Sequence, residues 1–128
     1  MTALITDDNN MVFESNYTVN AIGYKAITSN IASSYIYTNY HTVNDTFFNS
    51  LDIINTAFTI ADANGNLTGT TYFNNVKNFI MPKAKATGTW VVMSIAPESK
   101  WSTIAANPIL VDTFANNIVN AINTYGFD

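Results

Sequence analysis

The feature that most constrains the fold is a repeated alternation of short apolar runs and longer segments. Three runs are mostly apolar and bounded by polar or Gly/Pro-containing stretches: Val19–Tyr24, Leu51–Phe58 and Thr89–Ala96. Such runs are typical of strands that are covered on both faces. Because helical patterns separate and follow them, we expect an α/β fold with a parallel sheet and right-handed crossovers.

The segment after the second predicted strand favours a helix. Phe73, Val76 and Ile80 fall at helical spacing, and Pro82 marks an expected end or kink. The segment between the first two predicted strands is less regular, and residues 46–50 suggest only a short helix.

The last segment has the clearest helical pattern. Asn107 suits the N-cap, Pro108 the first helical position, and Gly126 the left-handed residue that follows a helix. One apolar stripe runs along the helix: Val111, Phe114, Ile118, Ile122 and Tyr125. A strand is expected to begin directly after it, at Phe127.

Composition narrows the classes of function. The chain is 48% hydrophobic and 11% charged, with a net charge of −4 and no basic cluster, so we expect no nucleic-acid partner. It has no cysteine, no G-x-x-x-x-G-K motif and no run long enough to span a membrane. Met1–Asn10 lacks the pattern of a signal peptide.

Four patterns, taken in order, resemble the family-18 glycoside hydrolases, the chitinases. They are Gly23-Tyr24 at a strand end, Ile53–Phe58 with a turn at Asn64-Gly65, Val91–Ile95, and Ile122–Asp128. The last is similar to the segment that leads into D-x-x-D-x-D-x-E. Where the family has two glycines after Ser-x, this chain has Ala96-Pro97, which changes the expected shape of the sugar site.

The resemblance implies a partial (β/α)8 TIM barrel: about the first three βα units and the start of the fourth strand. Residues 1–128 would be the N-terminal part of the catalytic domain, with 1–17 as a possible extra segment. In this family the final Glu of the motif is the acid, and the substrate's N-acetyl group is the nucleophile. No metal and no organic cofactor is implied.

The resemblance also assigns roles to residues of this chain. Asp128 would be the first Asp of the acidic motif and would accept hydrogen bonds from Tyr24 and Ser94. Phe58 would line the barrel mouth, and Trp101 would be a platform for a sugar ring. The partner would be an oligosaccharide or polysaccharide containing N-acetylglucosamine, acted on by a secreted or cell-surface parent. This chain alone would lack the catalytic Glu.

Plainer interpretations stand beside these. Tyr24, Phe58 and Ser94 suit ordinary barrel filling, and loop packing is the more usual role for Trp101. Asp62–Asn66 is better explained by a Gly-containing turn than by a calcium loop. A carbohydrate-binding or structural half-barrel is the alternative function, and another parallel α/β fold is a third reading. A cut sheet leaves an edge and an apolar face unpaired, so we expect the chain to self-associate.

Overall fold

The computed structural model describes residues 2–6, 12–16, 30–96 and 98–128, with backbone alone at 2–6, 12–16 and residue 98. The first two ranges are strands β1 (Thr2–Thr6) and β2 (Val12–Asn16), which pair with each other antiparallel. The remaining strands are β3 (Ser33–Ile36), β4 (Ile53–Ala61), β5 (Leu67–Thr68) and β6 (Trp90–Ile95). Together β3–β6 form one four-stranded sheet.

Strand β4 is the centre of this sheet. It pairs in parallel with β3 on one side and with β6 on the other, and its end pairs antiparallel with the short β5. The α/β fold with a parallel sheet is therefore confirmed. Two of the predicted strands, Leu51–Phe58 and Thr89–Ala96, correspond to β4 and β6.

A strand that the sequence analysis did not predict lies beside β4. Ser33–Ile36 pairs with β4 in parallel, and the predicted first strand, Val19–Tyr24, lies outside the described residues. The sequence hid β3 because it contains two serines and only one buried side chain, Ile36. A strand half exposed on one face gives no apolar run.

The helices follow the predicted crossovers. Helix α1 (Asp45–Asn49) is short, as expected, and the side chain of Asn44 caps it. Helix α2 (Thr70–Asn75), a π-helical stretch (Val76–Ile80) and α3 (Met81–Thr87) form one continuous helical segment. Pro82 falls in the first turn of α3, where a missing N–H costs little, so the helix continues past the proline.

Helix α4 (Trp101–Ala105) and helix α5 (Pro108–Tyr125) follow β6. The caps of α5 are those predicted: Asn107 accepts a hydrogen bond from the N–H of Ile109, and Gly126 has φ 83°. One member of the predicted stripe is wrong. Val111 is exposed, and Leu110 packs into the core beside Phe114 instead.

One face of the parallel sheet is covered by helices. Ile36, Ile54 and Val91 come from three neighbouring strands and pack in one cluster with Val76 and Ile80 of the helical segment 70–87. Their buried apolar surface is the main source of stability in such a layered fold. None of the described helices has the length and apolar run needed to cross a bilayer.

Candidate functional site

The other face of the sheet is only partly covered, and we name it the Tyr35 face. Residues paired across parallel strands point to the same side, so two rows lie on it. The rows are Ser33, Ile53 and Trp90, then Tyr35, Asn55 and Val92. Alternation adds Ser94 to the same face, as the sequence predicted for Trp90, Val92 and Ser94. Tyr35 is 64% exposed, so the face is accessible.

An exposed aromatic pair lies at the carboxyl edge of the sheet. Tyr37 directly follows β3, and Phe58 lies in β4; their ring centroids are 6.1 Å apart at 60°. Tyr37 is 70% exposed and Phe58 is 47% exposed. Barrel and doubly wound enzymes build their sites at this edge, so these two exposed rings are candidates for part of a binding site.

Phe58 lies in an irregular stretch of β4. The register between β4 and β6 shifts between Thr56 and Thr59, and the Ala57–Phe58 peptide bond is cis. The backbone just before Phe58 is held from the helix side, since the hydroxyl of Tyr40 donates to the Ala57 oxygen at 2.8 Å. The hydroxyl of Tyr72 donates to the Thr56 oxygen at 3.1 Å.

Tyr40 and Tyr72, the two tyrosines that donate to the β4 backbone, both have raised pKa values. Desolvation by burial raises the pKa of Tyr72 to about 12, against an opposing hydrogen bond from Thr56. Burial also raises the pKa of Tyr40, with a smaller contribution from Tyr37. Both hydroxyls are therefore neutral donors at physiological pH, as their backbone hydrogen bonds require.

Ser94 lies on β6, which pairs with the side of β4 opposite to β3. It stands on β6 between Met93 and Ile95, which pair with Thr56 and Thr59. It is therefore beside the irregular stretch that carries Phe58, and it is partly exposed. Ser94 and Phe58 thus lie toward the carboxyl ends of neighbouring strands, and their roles in a sugar site stay predictions.

Trp101 lies at the start of α4, the helix that follows β6. Its ring meets Phe114 of α5 edge-on at 5.7 Å, and 49% of the residue is exposed. One side of the indole is thus used for packing while another side meets solvent. Both the packing role and the sugar-platform role remain compatible with this position.

Asp128 lies at the opposite edge of the sheet. Its N–H donates to the Val91 oxygen at 3.0 Å, and its carboxylate accepts the Val91 N–H at 2.8 Å. Val91 precedes Ser94 by three residues, or about 10 Å along a strand. The structure therefore does not bring Ser94 and Asp128 together, and the expected hydrogen bond between them is absent.

Tyr24, the other predicted partner of Asp128, lies outside the described residues. Tyr37 is a candidate that sequence reasoning missed. The signal was available in principle, since Tyr35-Ile36-Tyr37 alternates exposed and buried side chains at strand spacing. Its two flanking polar stretches hid it.

A cavity of about 570 Å³ lies near Asp128, between α3, the start of β6 and the end of α5. Its polar lining includes Lys85, Thr89 and Asn123. Within the described residues, no group of three or more His, Asp or Glu side chains could hold a metal ion.

Asp62–Asn66 forms a turn, with the Asp62 carboxylate accepting from the N–H groups of Asn64 and Asn66.

Comparison with known proteins gives matches only in structure. No protein-family model matches the chain, and no curated protein does so significantly. The spore cortex-lytic enzyme SleL of Bacillus cereus matches with a TM-score of 0.62 at 16% identity, over 76% of this chain and 25% of that one. A mutant class V chitinase from Nicotiana tobaccum, in complex with NAG4, matches with a TM-score of 0.64 at 14% identity, over 77% and 31%.

The chitinase domain of the spore coat protein CotE from Clostridium difficile is a further match. It has a TM-score of 0.61 at 23% identity, over 84% of this chain and 32% of that one. The chain thus spans about a quarter to a third of the length of the structures that it matches. The likeness to the chitinases that the sequence predicts is confirmed at the level of the fold: about three quarters or more of this chain is similar in fold to part of these structures.

Proposed function

We propose that this chain is the N-terminal part of a chitinase-like TIM-barrel glycosidase domain that acts on glycans containing N-acetylglucosamine. The Tyr35 face would be part of the barrel interior. The Tyr37–Phe58 pair would be one wall of the sugar site at the carboxyl edge. The catalytic acids would be supplied by residues that follow Asp128.

The observation that carries this proposal is the exposed pair of Tyr37, which directly follows β3, and Phe58, which lies in the adjacent parallel strand β4. Aromatic faces pack against the C–H faces of pyranose rings, and exposed rings held in place lose little conformational entropy on binding. The hydrogen bonds from Tyr40 and Tyr72 to the backbone at Ala57 and Thr56 keep Phe58 positioned. The solved tobacco chitinase with NAG4 supports this ligand class.

The chemistry would be substrate-assisted hydrolysis with retention. A Glu protonates the glycosidic oxygen, and the acetamido oxygen of the substrate attacks the anomeric carbon. This chain would contribute the sugar wall and leave the acid–base steps to the following strand. The 128 residues by themselves would bind sugar weakly and hydrolyse none.

Sugar binding by the chain tests the proposal. The measurement is an NMR or fluorescence titration with the tetramer of N-acetylglucosamine, on the wild-type chain and on Phe58→Ala and Tyr37→Ala. We expect weak saturable binding that either substitution reduces at least fivefold. Val119→Ala is the matched control, because it removes an exposed apolar side chain from α5. Equal binding by Phe58→Ala and Val119→Ala would contradict the assignment.

A non-catalytic, carbohydrate-binding half-barrel is the second candidate, favoured by the half-exposed indole of Trp101. The coding sequence beyond Asp128 separates the two. A continuation as x-x-D-x-D-x-E would support the glycosidase, and hydrolysis of chito-oligosaccharides by the longer product is then expected. A continuation without acidic residues, with binding lost in Trp101→Ala, would favour the binding protein.

A further inference from the structure

Two aspartates of the chain make the same pair of hydrogen bonds to a neighbouring strand. Asp52 donates its N–H to the Ala32 oxygen at 2.8 Å, and its Oδ2 accepts the Ala32 N–H at 2.9 Å. Asp128 donates to the Val91 oxygen at 3.0 Å, and its Oδ2 accepts the Val91 N–H at 2.8 Å. In both cases one aspartate holds both backbone groups of a single residue.

The Asp52–Ala32 pair lies at the start of a parallel ladder. Asp52 immediately precedes β4, and Ala32 immediately precedes β3. The next residues, Ile53 and Ser33, are the first partners of the parallel ladder between those strands. The Asp52 carboxylate accepts a hydrogen bond from the Ala32 N–H, which lies just before the first residue pair of the ladder. The pair therefore fixes where one strand begins relative to the other.

We propose that Asp128 is a strand-start clamp of the same kind as Asp52. It prepares β6 to receive a parallel strand on the side away from β4, with the residue after Asp128 in register with Val92. A one-residue slip would move every following side chain to the other face, so a clamp at the start protects the whole strand.

Local sequence around the two clamps is similar. Each aspartate follows an apolar residue that packs into the main core: Leu51 before Asp52, and Phe127 before Asp128. The ring of Phe127 is buried and stacks on Tyr72 with centroids 6.4 Å apart. The apolar residue is fixed in the core, and the aspartate that follows it is fixed to the backbone of the neighbouring strand. Together they restrict the register between the two strands.

As a clamp, Asp128 has a different role from the one that the acidic motif implies for it; this comparison rests on the proposed function. In D-x-x-D-x-D-x-E the later acidic positions lie three, five and seven residues after the first. Odd spacings along a regular strand put them on the face opposite to the first Asp. Asp128 is accordingly a positioning residue and takes no part in sharing protons.

Amide hydrogen exchange on the 128-residue chain tests the clamp. We expect Asp128→Ala to speed exchange of the Val91 N–H about tenfold, the effect of losing a charge-assisted hydrogen bond, while Ala32 is unchanged. Asp52→Ala should do the reverse. Asp128→Asn keeps an acceptor oxygen and should restore most of the protection of Val91. Phe127–Tyr72 ring contacts, seen as NOEs, should weaken in Asp128→Ala and persist in Asp128→Asn.

Unchanged exchange at Val91 in Asp128→Ala would overturn the proposal. So would an Asn variant that behaves like the Ala variant, because an acceptor oxygen at this position would then not be what protects the Val91 N–H. If Asp52→Ala fails to fold, Asp52→Asn supplies the comparison at Ala32. No sugar enters these measurements, so failure of the glycosidase proposal and failure of the clamp would be told apart.

Discussion

The hydroxyl of Tyr72 lies 2.6 Å from the hydroxyl of Thr56, in a buried contact between α2 and the central strand β4. Tyr72 also donates to the Thr56 backbone oxygen. The contact lies directly under the stretch that carries Phe58. It links the helix layer to the edge where the candidate sugar site lies.

Removing the Tyr72 hydroxyl should therefore destabilise the fold. We expect Tyr72→Phe to lower the free energy of unfolding by about 1–2 kcal/mol, since a buried polar partner at Thr56 is left behind. Urea denaturation measures this. Tyr35→Phe is the matched control, because Tyr35 is exposed; its effect should stay within about 0.5 kcal/mol.

The same tyrosine predicts a pH dependence. Burial raises the pKa of Tyr72 from 10.0 to about 12, so the folded state favours the neutral phenol. This contribution is fully present below pH 10, the pKa in the unfolded chain, and is lost as the pH rises to about 12. Between those pH values we expect the free energy of unfolding of the wild-type chain to fall by about 2 kcal/mol more than that of Tyr72→Phe. Urea denaturation across this pH range measures the difference. An equal fall in the free energy of unfolding of the two proteins would contradict the prediction.

Gly65 should be the least replaceable glycine of the described chain. It has φ 79°, and a Cβ there would lie 3.1 Å from the Leu110 oxygen and 3.2 Å from the Phe114 Cβ. We expect Gly65→Ala to cost about 2–4 kcal/mol, from backbone strain plus overpacking. Gly126→Ala is the control with a similar φ of 83° and only the Lys85 Nζ nearby, at 3.8 Å. It should cost about 1 kcal/mol, and equal costs would rule out the packing contribution.

Asp62 should titrate below the ordinary range. The side chain of Asn66 is the largest cause of its lowered pKa, followed by the backbone N–H groups of Asn66 and Asn64. We expect Asn66→Ala to raise the pKa of Asp62 toward its usual value, measured by NMR of the carboxyl carbon. Asn64→Ala keeps the backbone N–H that Asp62 accepts, so it should leave that pKa unchanged.

The partly covered Tyr35 face predicts self-association. Ile53, Trp90 and Val92 lie on it with only intermediate burial. We expect light scattering at micromolar concentration to detect oligomers, and Val92→Lys to shift them toward monomer, because the ammonium group resists desolvation. A sharp monomer of the wild-type chain would count against this prediction.

Several parts of the fold were predictable from the sequence. The apolar runs predict β4 and β6, and Asn107, Pro108 and Gly126 mark the ends of α5, because caps and turn residues act locally. The order of elements predicts the parallel sheet. Phe58 and Ser94 were expected at the carboxyl edge because strand ends and alternation follow from residue counting.

Other parts depended on contacts between residues far apart in the chain. Ser33–Ile36 is a strand because β4 offers its backbone groups, although its own residues give only a weak pattern. Tyr37 meets Phe58 only because β3 and β4 pair side by side in the sheet. Asp128 is held by Val91, at the amino edge, because the end of α5 delivers it there. Local sequence determined which residues form helices and strands; tertiary structure decided which side chains meet, since pairing and register depend on the partner strand.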